Sequence, residues 1–258
     1  MKKIIGFALL LFVSSQSFGQ VKIHSHNDYE QKDKFHLAYT EKVYEIEADV
    51  FETNGELLVA HNKKTINPTN TLARLYLNPI DSLFKLYKGK VSENKSYTFN
   101  LMIDFKTDWQ PTFLALQKQL EKYPEIFDRN KNKFAIQIVI SGNRPTDSTF
   151  HTYPKWLFFD GLPNISYAKA DLRRVTMISD NFATYSKWNG KGEIPAADKV
   201  KLKSIIESAH RMKKPVRFWG APDTQDCWLE LYKLGADIIN TDKIKACNIF
   251  FNSKSNEF

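Results

Sequence analysis

The stretch Tyr44–Phe51, YEIEADVF, alternates strictly: Tyr44, Ile46, Ala48 and Val50 fall on one side of an extended chain, and Glu45, Glu47 and Asp49 on the other. Thr98–Phe105 repeats the pattern, with Phe99, Leu101, Ile103 and Phe105 opposite Asn100, Met102, Asp104 and the following Lys106. Both apolar faces are expected to meet an outer layer of helices. The acids then point into the sheet's interior, which a fold tolerates only where they find partners or reach water, as at the C-terminal mouth of a β/α barrel. Glu47, Asp49, Asp104 and Lys106 are therefore expected at one mouth.

Outward from these two runs, short β-rich segments alternate with helical patterns, the signature of βα units around a parallel sheet. The runs are Val21–His24, Tyr44–Phe51, Thr98–Phe105, Phe134–Ser141, Trp156–Asp160, Arg174–Asp180, Pro215–Gly220 and Asp237–Thr241. Eight strands predict a TIM (β/α)8-type barrel, and residues 20–258 have the length of one such domain, about 250 residues. Helices are expected over Gln110–Tyr123, Ala196–Lys213 and Thr224–Leu234, the last behind a cap at Asp223 and ending before Gly235. Pro79 should split Thr71–Tyr87 into two short helices.

The chain opens with Lys2 and Lys3, an apolar stretch Ile4–Val13, and small residues at Ser17 and Gly19. That order reads as a signal peptide over residues 1–19, so the protein is expected to be exported, to a periplasm or the exterior. No later run approaches the roughly 20 apolar residues of a membrane span. The formal charge of +8 favours anionic substrates or surfaces, including peripheral contact with a membrane. Nucleic acid is not the expected partner, because the cations are scattered from Lys22 to Lys254 without an aromatic-interleaved basic run or zinc-finger spacing. No obligatory protein partner is evident. Cys227 and Cys247 are compatible with either a disulfide or two buried thiols, and neither has metal-site spacing.

Three carboxylates at one mouth repel one another unless a cation neutralises them, and hard oxygen ligands suit Ca²⁺ or Mg²⁺. The competing reading pairs them with Lys or Arg. His24 and His26 close the first strand in HSHNDYEQ, and His61 ends ELLVAH just beyond the second. His26 and His61 thus belong at the acidic mouth, as an acid-base pair with His26 taken as the base. A second reading makes His24 and His26 an HxH metal site. Barrels of that type use many histidines, whereas this chain has six, with His36, His151 and His210 away from strand ends. Arg144 in SGNRP and Arg217 fall near strand ends, either as contacts for an anionic substrate or as solvated or salt-bridged side chains.

These residues resemble the phosphatidylinositol-phospholipase-C-like phosphodiesterase superfamily, which includes glycerophosphodiester phosphodiesterases and spider-type sphingomyelinases D. HSHNDY is similar to its opening His-Asn motif, IEADVF to its Glu-x-Asp metal motif, LLVAHN to its second-histidine strand and MIDFK to its acid-x-Lys strand. HSHNDYEQ, IEADVF, GELLVAH and VISGNRP together resemble the branch named for altered inheritance of mitochondria protein six. The resemblance implies His26 and His61 as catalytic histidines and Asn27, Glu47, Asp49 and Asp104 as metal ligands. It further implies Lys106 as the lysine on substrate phosphate and Trp219 as the aromatic residue ending the seventh strand. The chain lacks the His-Arg-Gly and Pro-Glu-Asn opening of the glycerophosphodiesterases, and Asp104 stands where several relatives have Glu. The expectation is an exported, metal-dependent phosphodiesterase acting on a phospholipid head group or glycerophosphodiester-like compound; the rival is a non-catalytic binding protein on the same fold.

Overall fold

The computed structural model describes residues 21–254; the expected signal peptide lies outside the described residues. Nine strands run in the order β1 (Lys22–Ser25), β2 (Glu45–Thr53), β3 (Glu56–Val59), β4 (Asn100–Phe105), β5 (Gln137–Gly142), β6 (Leu157–Gly161), β7 (Val175–Asn181), β8 (Val216–Trp219) and β9 (Ile238–Thr241). Eight pair in parallel from β2 through β4 to β9 and on to β1, which pairs back with β2 and closes the barrel. All eight expected runs supply its staves, and the fold is a single-domain TIM barrel.

The helices are α1 (His36–Thr40), α2 (Asn78–Leu86), α3 (Trp109–Leu120), α4 (Lys169–Leu172), α5 (Ala196–Arg211), α6 (Gln225–Leu234) and α7 (Ile244–Lys254). Their apolar faces cover the outward side chains of the strands, among them Ile46, Ala48, Val50, Leu101, Ile103, Ile138 and Ile140, all fully buried. Each Leu or Ile enclosed there contributes about 1.5–3 kcal/mol relative to exposure. None of the helices among the described residues is long and apolar enough to cross a membrane.

Inside the barrel, Met102, Val139, Met177 and Ile238 form one apolar layer. Tyr44 packs against this layer instead of meeting the outer helices as its parity predicts. It lies one residue before β2 begins, where the ladder does not yet fix its direction.

Pro79 does not divide its segment. A π-helical turn over Ala73–Leu77 runs directly into α2, and Pro79 occupies the first turn of α2, where its missing N–H is least needed. Asp223 does not cap α6. Thr224 does, its hydroxyl accepting from the Cys227 N–H, while Asp223 accepts from Trp228 Nε1 and Thr241 Oγ1. Cys227 and Cys247 are separate buried thiols, and burial pushes Cys227 up to about 12.

The strand β3 was not among the expected runs. Asn54 and Gly55, both at positive φ, turn the chain back on itself, and β3 pairs antiparallel with the end of β2. One edge of β2 is taken by β4. On the other edge β1 pairs low, at Glu45 and Ile46, and β3 pairs high, from Val50 to Thr53. The chain leaving β3 therefore emerges above the end of β1.

Candidate active site

The rest of the barrel interior is polar. Register places Glu45 beside Asn100, Glu47 beside Met102 and Asp49 beside Asp104, so the acids of β2 climb towards the C-terminal mouth one level at a time. At the middle level His24 sits fully buried, Nδ1 2.9 Å from Glu45 Oε2 and Nε2 2.6 Å from Glu47 Oε2. Arg217, equally enclosed, sets Nη1 2.6 Å from His24 Nε2 and 3.1 Å from Glu47, and Nη2 3.1 Å from Asp160 Oδ2. Burial alone would raise Glu47, but His24 and Arg217 hold its carboxyl well below the usual range. Glu47 is thus an ionised carboxylate beneath the mouth.

At the top, Asp49, Asp104 and Lys106 meet: Lys106 Nζ donates to Asp49 Oδ2 at 2.9 Å and Asp104 Oδ1 at 2.8 Å. Ser141 Oγ donates to Asp104 Oδ2. Gly142, at φ +69°, lets β5 pass this close, since a Cβ there would stand 2.5 Å from the Phe105 carbonyl and 2.6 Å from Asp104 Oδ1. Tyr29 hydroxyl lies 2.8 Å from both Asn27 Oδ1 and Asp49 Oδ2 and 3.3 Å from His61 Nδ1. It ties together the loops after β1 and β3.

His26 Nδ1 is 2.8 Å from Asp242 Oδ1. Burial would lower this histidine, yet the hydrogen bond to Asp242 and the charge of Glu47 leave it raised. With Nδ1–H donated to a carboxylate, Nε2 is the nitrogen free to exchange a proton. His61 arrives on the chain leaving β3, with its side chain half exposed.

His26, Asn27, Glu47, Asp49, His61, Asp104, Lys106, Arg144, Arg217 and Trp219, the full set of expected site residues, line one cleft of about 350 Å³. Their availability differs. Arg217 spends its terminal nitrogens on buried partners and its Nε is buried without one, so it acts as an internal counter-cation instead of the expected substrate contact. Arg144 donates Nη1 to the Asp160 carbonyl and holds Nε 3.9 Å from Asp147. Trp219 is 40% exposed at the rim. His24 is not open to share an ion with His26 in an HxH arrangement, because both its ring nitrogens face carboxylates. His36, His151 and His210 lie outside the cleft, the last two against Asp171 and Asp237.

Sequence reading missed five contributors: Tyr29, Ser141, Asp160, Ser179 and Asp242. Strand parity could have found four of them, since Ser141, Asp160, Ser179 and Asp242 continue the inward faces of β5, β6, β7 and β9. Tyr29 sits in a 3₁₀ turn whose direction no periodicity gives.

The site fits a divalent cation. Oxygens of Glu47, Asp49 and Asp104 lie within 4.8 Å of one another. Asp49 Oδ1 is buried without a hydrogen-bond partner, the orphan that a cation would satisfy. Burial, with the charges of Glu47 and Asp104, pushes Asp49 up to about 6 despite Lys106. Three crowded carboxylates of which one resists ionisation are a donor set for a hard cation such as Ca²⁺ or Mg²⁺.

A parallel barrel whose mouth gathers these groups has the architecture of the TIM-barrel phosphodiesterases. A glycerophosphodiester phosphodiesterase from Parabacteroides distasonis shares the fold with a TM-score of 0.57 at 14% identity, covering 92% of this chain and 100% of that one. Another from Agrobacterium tumefaciens aligns with a TM-score of 0.52 at 13% identity, over 90% of this chain and all of that one. The sequence itself is more specific: residues 14–160 match the AIM6-like phosphodiesterase domain, and the chain belongs to that family. Among similar sequences, Altered inheritance of mitochondria protein 6 of Eremothecium gossypii is 28% identical over 279 residues, 89% of this chain and 69% of its own. The Arthroderma benhamiae homolog is 25% identical, over 90% of this chain and 84% of its own.

Proposed function

We propose that this protein is an exported, divalent-cation-dependent phosphodiesterase in which His26 and His61 move the protons. The observation that carries this reading is the convergence of both histidines, three carboxylates and Lys106 in one cleft, with Asp49 Oδ1 left unpaired. Ion pairing alone, the competing account of the acids, leaves that oxygen unsatisfied.

A phosphodiester is an anion that repels an incoming nucleophile. Lys106, on the cleft wall, offsets that charge at the non-bridging oxygens. A cation held by Glu47, Asp49 and Asp104, with Asn27 beside them, would supply further Lewis-acid neutralisation there. His26, anchored at Nδ1 by Asp242, takes the proton of the attacking hydroxyl on Nε2 as its oxygen bonds phosphorus. His61, protonated, gives a proton to the leaving oxygen as its bond to phosphorus breaks. Each transfer contributes about 10²–10⁴-fold. Trp219 at the rim offers a flat apolar surface to the departing group. The substrate class is a phosphodiester of lipid head-group or glycerol type, the second being the one for which the structural neighbours are named.

The test is hydrolysis of bis(p-nitrophenyl) phosphate and glycerophosphodiesters in Ca²⁺, in Mg²⁺ and in excess EDTA, by the wild type, His26→Ala and His61→Ala. Turnover that requires the cation and disappears in both variants is expected. Cation binding without turnover of any diester would convert the reading to a binding protein on the same barrel.

A further inference from the structure

The pole of the barrel opposite the cleft carries a ring of unpaired positive charge. In a parallel barrel every strand begins at that pole, and every barrel strand except β9 is entered past or at an exposed cation. These are Lys22 for β1, Lys42 for β2, Lys95 for β4, Lys133 for β5, Lys155 for β6, Arg173 for β7 and Lys213 for β8. The acids on these entries, Glu41 before β2, Glu93 before β4, Asp171 before β7 and Asp237 before β9, make no ion pair with the seven, and Asp237 is turned onto His210 and the Val216 N–H.

Some exposed lysines on the outer helices are paired. Lys85 pairs with Asp81, Lys199 with Glu230 and Lys201 with Asp198. Among the described residues, no carboxylate lies within 4 Å of any of the seven polar-end cations. Several rest on aromatic rings instead: Lys22 over Tyr44, Lys42 over Tyr39 and Tyr97, and Lys133 over Phe134. A ring of unneutralised cations interleaved with tyrosines is suited to the head-group zone of an anionic bilayer, where ammonium groups meet phosphate and amphipathic rings sit at the interface.

We propose that the N-terminal pole of the barrel is a docking surface for anionic membrane lipid. Docked in this way, the protein holds its cleft facing away from the bilayer, so the substrate reaches it from the aqueous phase. Of the two diester types proposed above, a water-soluble glycerophosphodiester can reach the cleft in this orientation and a lipid held in the same bilayer cannot.

The experiment is cosedimentation of the full chain with vesicles of phosphatidylcholine alone and of phosphatidylcholine with phosphatidylglycerol at roughly 7:3. Three proteins are compared: wild type, the triple variant Lys95→Gln/Lys155→Gln/Lys213→Gln, and a control of identical net charge, Lys191→Gln/Lys203→Gln/Lys245→Gln. All six substituted side chains are exposed. Each lost cation is expected to weaken partitioning about fivefold, so the pole variant should lose about a hundredfold on anionic vesicles while the control stays within about threefold of wild type. Equal losses in both variants, or equal binding to the two lipid compositions, would overturn the proposal. So would displacement of bound protein from the vesicles by an equimolar single-stranded oligonucleotide, which would assign the pole to nucleic acid.

Discussion

His26 and Asp242, 216 residues apart in sequence, meet at 2.8 Å across the junction that closes the barrel, between β1 and the exit of β9. Asp242 fixes which ring nitrogen faces the cleft and is the main contact holding the histidine up against burial. Asp242→Asn should lower kcat by about 10–100-fold, less than His26→Ala. It should also move the acidic limb of the kcat/KM profile to lower pH, because a histidine that loses a carboxylate partner gives up its proton more readily. A pH–rate profile with an unshifted limb would remove Asp242 from this role.

Cation affinity should depend on pH through Asp49. Its carboxyl titrates near 6 without an ion, and a cation requires the carboxylate, so binding competes with a proton as pH falls through about 6. Calorimetric titration with Ca²⁺ or Mg²⁺ should show affinity falling from about pH 7.5 to about pH 5, with protons released on binding near 6. Asp49→Asn should weaken binding by at least about a hundredfold. Affinity that is flat across this range would place the ion elsewhere.

Arg217 is the only cation among the groups it bridges, apart from whatever charge His24 carries. Arg217→Met removes that charge while leaving Glu47 and Asp160 enclosed. A loss of about 3–5 kcal/mol in denaturant-induced unfolding is expected. If the loss stays below about 1 kcal/mol, water or a rearranged carboxylate has replaced the guanidinium.

Gly142 combines a left-handed backbone with contact to Asp104. Gly142→Ala should cost about 1–2 kcal/mol from the backbone conformation alone. The methyl group must also displace either the Phe105 carbonyl or the Asp104 carboxylate, so weaker cation binding should accompany the lost stability. Thermal unfolding with and without Ca²⁺ separates the two effects.

The barrel was legible because alternation in β2 and β4 is unbroken: one run of apolar residues against one of acids admits a single choice of inside and outside. The same parity carried Glu47, Asp49, Asp104 and Lys106 to the mouth. It failed at Tyr44, which precedes the ladder, and it was silent on Tyr29, which sits in a turn. Asn54–Gly55 is a strong hairpin signal, but β3 is only four residues long and pairs outside the eight-strand count. Availability was the least legible property of all. Nothing in the spelling of Arg217 or His24 distinguishes a side chain committed to buried neighbours from one open to a ligand, because their partners lie 21 to 193 positions away.

The hairpin has a consequence for how this family can diversify. The carboxylates are borne by staves whose register is locked on both sides, so none can shift without disturbing the closed ring. His61 rides on an appendage that pairs with the projecting end of β2 and bridges through Leu58 to Thr71, and the ring closes through β1 and β4 without it. Insertions or deletions around Asn54 and Gly55 would slide one histidine towards or away from the other while the anionic pocket stayed in place. Editing one turn would therefore change the reach between His26 and His61, and on the proposed mechanism the size of the leaving group they accommodate.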